Sequence, residues 1–134
     1  MRISLRAGER IYLNGAVIRV DRKVSLEILN DVSFLLENHV LQADQTTTQL
    51  RQLYFVVQTI LMDPTESGNA HMLLETMLGR MNGAYDSAAV LDGLARVRDL
   101  VGRDRVFDAL KTIRSLYVEE EEILKQGSGQ SRAA

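Results

Sequence analysis

The sequence predicts an α+β fold: an N-terminal antiparallel β-sheet of about five short strands, followed by a bundle of about four α-helices. Three observations carry that prediction. Apolar residues alternate with polar ones up to about residue 45 and recur at three- and four-residue steps after it. Asn14-Gly15 lies between two alternating runs, the strongest short signal for a two-residue hairpin. The single proline, Pro64, falls where the first helical stripe stops.

Taken in order, Ile3 and Leu5 point to one face, with Arg2, Ser4 and Arg6 on the other. Ala7-Gly8 turns the chain. Ile11 and Leu13 return to the apolar face, with Arg10 and Tyr12 opposite. After Asn14-Gly15 come Ala16, Ile18 and Val20, with Arg19 opposite, and then a turn at Asp21, Arg22 and Lys23. Val24, Leu26 and Ile28 make a fourth run, and Val32, Phe34 and Leu36 a fifth. The expected arrangement is a meander with one apolar and one polar face.

The helical part begins where Thr46, Thr47 or Thr48 can cap a first helix carrying Leu50, Leu53, Tyr54, Val57, Ile60 and Leu61. A second helix carries Met72, Leu73, Met77 and Leu78. A third is capped by Asp86 or Ser87 and runs through Val90, Leu94, Val97 and Val101 to Gly102. A fourth, long helix is expected from Asp104 through Leu110, Ile113, Tyr117 and Leu124. This divides the chain into a sheet module (1–45), a helical module (46–125) and a small polar tail (126–134) expected to be disordered.

A chain of 134 residues buries roughly two-thirds of its unfolded surface and needs no staple. There is no cysteine, which excludes disulfides, iron–sulfur clusters and thiol chemistry. The N-terminus lacks the apolar run of a signal peptide, and no stretch is long enough to span a membrane. A cytoplasmic protein without membrane contact is expected. His39 and His71 are isolated, with no second ligand at metal spacing, and no nucleotide-binding or nucleophile motif is present. Neither catalysis nor a metal or cofactor is expected. The run Glu119 to Glu122 reads as a solvated helix face.

The informative asymmetry is in charge. The whole chain is −2, but within residues 1 to 25 six cations face only Glu9 and Asp21, a net +4. Strand alternation puts Arg2, Arg6, Arg10 and Arg19 opposite the apolar face, with Tyr12 among them and Arg22 and Lys23 in the adjoining turn. Guanidinium groups meet phosphates, and an aromatic or guanidinium plane can stack on an unpaired base, so these seven residues are the candidate RNA-binding set.

Four stretches also resemble the FlbT family of flagellar regulators: Leu5 to Val17, Val32 to Glu37, Thr46 to Phe55 and Gly102 to Arg114. That resemblance implies a post-transcriptional regulator that associates with the 5′ untranslated region of a flagellin messenger RNA and promotes its decay. It brings no catalytic residues. Expected partners are the flagellin mRNA leader and, as an alternative, flagellin or another flagellar regulator or export protein bound by the helices. A second copy of the chain is a further candidate, since a five-strand sheet has two edges to pair or hide.

Overall fold

A computed structural model describes residues 1–133, with side chains described for 1–65 and 67–125. The tail expected at 126–134 therefore lies outside the residues described with their side chains. Among the described residues there are five strands followed by five helices. The strands are β1 (Arg2–Leu5), β2 (Arg10–Leu13), β3 (Ala16–Arg19), β4 (Val24–Glu27) and β5 (Phe34–Leu36). The helices are α1 (Gln49–Met62), α2 (Gly68–Ala84), α3 (Ala88–Gly102), α4 (Val106–Ser115) and α5 (Tyr117–Ala133).

The strands pair antiparallel, but not as a meander. They form two sheets, β1-β4 and β3-β2-β5. Arg2 faces Glu27 and Leu5 faces Val24; farther along, Arg10 faces Arg19 and Leu13 faces Ala16. Partner numbers add to 29 in both the β1-β4 and the β2-β3 ladders, so residues 2–27 are one long hairpin, folded over in its middle. Its tip is Asn14-Gly15, with φ of 49° and 86°, the two left-handed residues of a type I′ turn. Its bend is at 6–9. Glu9 N donates to Arg6 O (3.0 Å), and Gly8 takes φ 84° at the third position, as a type II turn requires. Gly8 N donates to Val20 O (2.7 Å) while Val20 N donates to Glu9 O (3.2 Å), a glycine-type bulge that turns the ribbon without shifting its register.

Folding the hairpin gives β2 two buried faces. Ile11 joins Ile3, Leu5 and Phe34 in one apolar cluster, completed by Val24, Leu26 and Leu36. Tyr12 and Leu35, paired across β2-β5, face the helical core instead. The ring of Phe107 on α4 stacks on Phe34, centroids 4.5 Å apart, and joins the two cores.

Thr48 caps α1, accepting from Arg51 N at 3.2 Å, and Pro64 follows its end. Ser87 caps α3. Helix α1 packs on α2 and α4, and α3 on α4, around Leu53, Val57, Leu78, Leu94 and Leu110. The expected long fourth helix is broken. Leu116 separates α4 from α5 and inserts against α3 at Gly93, where a Cβ would lie 2.5 Å from Leu116 Cδ1.

Candidate nucleic-acid interface

The bend and the adjoining β2-β3 arm concentrate the cations. Arg6 stands on the bend with its side chain 91% exposed, and Arg22 and Lys23 lie on the opposing turn, also exposed. Arg10 and Arg19 face each other across β2-β3, both exposed. Counting back from the hairpin tip, the 10–19 pair is one of the non-hydrogen-bonded pairs, whose Cα atoms approach to about 4.5 Å and whose side chains lie closest.

The acids nearby contact these residues themselves, through side chain or backbone. Glu9 Oε1 accepts from Arg6 N at 2.7 Å and sits 3.9 Å from Arg6 Nε. Glu37 Oε2 accepts from Arg10 N at 3.1 Å. Arg22 pairs with Asp21 (3.4 Å), and Arg2 with Glu27 (3.6 Å) at the far end of the β1-β4 arm. Both pairs are exposed and screened, so each is worth about 1 kcal/mol at most. Arg10, Arg19 and Lys23 form no ion pair with the described residues.

Of the seven residues singled out from the sequence, Arg6, Arg10, Arg19, Arg22 and Lys23 lie on the bend and the β2-β3 arm. Arg2 lies apart, at the end of β1. Tyr12 is half-buried and packs on the helical core; it is not on an open face. Alternation gave Tyr12 the correct side of its strand, but the helices cover that side.

A second polar cluster was hidden in the acidic run. Glu119, Glu121 and Glu122 are exposed, but Glu120 is 2% exposed. Its carboxylate accepts from Leu50 N in the first turn of α1 (3.0 Å), from Arg51 Nη1 (3.4 Å) and from the Tyr85 hydroxyl (3.4 Å). Arg51 also lies over the Tyr117 ring, 4.4 Å from its centroid. Burial and then the Glu120 carboxylate push the Tyr85 phenol up to about 12, and burial also raises Tyr54 and Tyr117. Tyr54 donates to His39 O at 2.6 Å and accepts from Arg114 Nη1 at 2.9 Å. His39 is held below its ordinary value by burial and by Arg114. These contacts join α1, α4, α5 and the segment after β5, and serve architecture.

A groove of about 640 Å³ opens between the β4-β5 connection and the start of α4. Along it, Arg105 already pairs with both Asp31 and Asp108. Among the described residues no group of three or more His, Asp or Glu is placed to hold a metal ion, and no helix is long and apolar enough to cross a membrane.

Comparison with known proteins adds a relationship over most of the chain. The family model described as "Flagellar protein FlbT" matches residues 1–124. A protein of a Chelativorans species named "Probable flagellum biosynthesis repressor protein FlbT" is 53% identical over 132 residues, covering 98% of this chain and 91% of that protein. A Brucella anthropi protein of the same name is 54% identical over 124 residues, covering 92% and 82%. A Bradyrhizobium diazoefficiens protein named "Probable flagellum biosynthesis repressor protein FlbT 2" is 53% identical over 124 residues, covering 92% and 91%. No solved structure matches the chain.

Proposed function

This chain belongs to the FlbT family, and from that premise we propose that it is a cytoplasmic, non-catalytic regulator of flagellum biogenesis. It binds the 5′ untranslated region of a flagellin messenger RNA and represses translation or promotes degradation of the transcript. The relatives' names support a repressor role. The observation that carries RNA binding is the set of exposed cations on the bent hairpin of an otherwise acidic chain.

Cations at fixed positions displace counterions from phosphates, a favourable step that salt opposes. A protein seated on a leader blocks ribosome entry, and nucleases supplied by other proteins then act on the untranslated transcript. No bond is made or broken by this chain. The test is gel-shift titration of a flagellin leader at two salt concentrations with the parent and an Arg6→Ala/Arg10→Ala variant. The variant should bind more weakly and with a flatter salt dependence. Unchanged affinity removes the hairpin from the interface.

A second reading has its own observation. Met72 and Leu73 on α2 and Leu124 on α5 are exposed apolar residues, as a helical module binding flagellin or a flagellar export partner would require. A pull-down with purified flagellin after nuclease treatment separates the two.

A further inference from the structure

Resting on the RNA reading above, we infer that the RNA feature this chain grips is a base-paired stem, held through its phosphates, with Arg10 and Arg19 closing on one phosphate between them. Two independent observations lead there.

The first concerns what the basic surface lacks. Single strands are held by a cationic track together with aromatic faces on which bases stack, and stacking offsets the cost of ordering a flexible strand. This chain has four Tyr, three Phe and no Trp, and all seven are buried or half-buried. Tyr12, the aromatic residue nearest the cations in sequence, faces the helical core. Without an exposed ring, an unpaired base has only guanidinium planes to stack on, and each guanidinium group used that way is lost to the phosphates. A paired stem arrives with its phosphates already ordered and dense, so charge alone suffices to hold it.

The second observation is the Arg10–Arg19 pair. Two like charges directly opposite on neighbouring strands repel and weaken the hairpin. No described carboxylate forms an ion pair with either side chain; Glu37, the acid at Arg10, bonds its backbone N–H. A phosphate oxygen between the two guanidinium groups converts that repulsion into two charge-assisted hydrogen bonds. Arg6, Arg22 and Lys23 on the neighbouring bend extend the track to further phosphates. The hairpin thus carries a small destabilising feature that an anion relieves, which ties its function to a charged ligand.

The experiment uses the full chain and three RNA probes of equal length: a flagellin leader, a fully paired hairpin of unrelated sequence, and an unstructured oligouridine. The paired hairpin should compete with the leader, and the oligouridine should bind at least about tenfold more weakly. With about four phosphates engaged, one by the Arg10–Arg19 pair and one each by Arg6, Arg22 and Lys23, the logarithm of affinity should fall against the logarithm of salt with a slope of about −3.5. Arg19→Ala should cost about tenfold in hairpin affinity while its thermal midpoint stays level or rises, because a repulsion is removed. Oligouridine binding as tightly as the hairpin overturns the inference and leaves the RNA reading intact. So does an Arg19→Ala protein that keeps its hairpin affinity. Paired RNA bound while the leader is not leaves the inference and removes the regulatory role. No binding to any probe removes both.

Discussion

Replacing Glu120 tests how the C-terminal helix is joined to the rest. It is the only buried carboxylate among the described residues, and its main partner is an orphan donor. Leu50 N lies in the first turn of α1, where no helical carbonyl can reach it, and Leu50 is fully buried. Truncation by Glu120→Ala leaves that N–H unsatisfied in a dry site, a cost of about 1–3 kcal/mol. Loss of a negative charge at a helix N-terminus adds about 0.5–1 kcal/mol. Arg51 loses its partner too, but its side chain is 26% exposed and water takes over, so that part is about 1 kcal/mol or less. The total is about 3 kcal/mol, which for a chain of this length lowers the thermal midpoint by about 10 °C.

Urea unfolding followed by circular dichroism measures it. Glu120→Gln keeps the shape and one acceptor, so it should lose about half as much. Glu119→Ala and Glu121→Ala, one residue to either side and exposed, should stay within about 0.5 kcal/mol of the parent. If Glu120→Ala behaves like its two neighbours, the carboxylate is solvated and α5 is not seated on α1 in the way described.

Three further perturbations have defined outcomes. Gly93→Ala puts a Cβ 2.5 Å from Leu116 Cδ1; overpacking of about 1–3 kcal/mol outweighs a helix-propensity gain of up to about 1, so denaturant titration should show a net loss, and a gain would mean Leu116 swings aside freely. Gly15→Ala forces a side chain into φ 86° beside the Pro64 ring at 3.4 Å, and should cost about 1–2 kcal/mol in the same assay, whereas an unchanged midpoint would exclude the type I′ tip. Tyr85 holds its proton more tightly folded, up to about 12, than unfolded at about 10. Its contribution is complete below about pH 10 and disappears as pH rises through about 12. Unfolding midpoints should therefore fall across that window and fall less steeply in Tyr85→Phe; identical profiles refute the assignment.

Much of this fold was legible because its signals are local. Alternation placed all five strands, and Asn14-Gly15 specified left-handed φ at both residues, as found. The Thr46–Thr48 run, the Asp86-Ser87 pair and Pro64 marked helix ends by side-chain chemistry that acts within three residues, and the structure selects Thr48 and Ser87 as the caps. Strand pairing is not local. The alternation of β1 fits equally a hairpin with β2 or a ladder with β4, and only the Gly8 bulge, which lets the ribbon fold over, selects the second. The break at Leu116 was illegible for the same reason, since apolar spacing continues through it and the break depends on space at Gly93 on another helix. Four consecutive glutamates have no phase, and docking of α5 on α1 chooses Glu120. The cations could be listed from the sequence, but the facing of Arg10 and Arg19 and the covering of Tyr12 required the register.

The folded hairpin also explains how a small chain keeps a charged surface beside a dry core. In β2, Arg10 is exposed and Ile11, the next residue, is fully buried. Stability and charge are interleaved at a period of two, so either changes without the other only while the register holds. A one-residue slip of β2 would carry Arg10 into the cluster around Ile11 and Phe34, at a cost no local contact could offset. The Asn14-Gly15 tip and the Gly8 bulge fix that register from both ends of the β2-β3 arm. They are thus as necessary to the basic surface as the arginines themselves, although neither glycine can touch a ligand through a side chain.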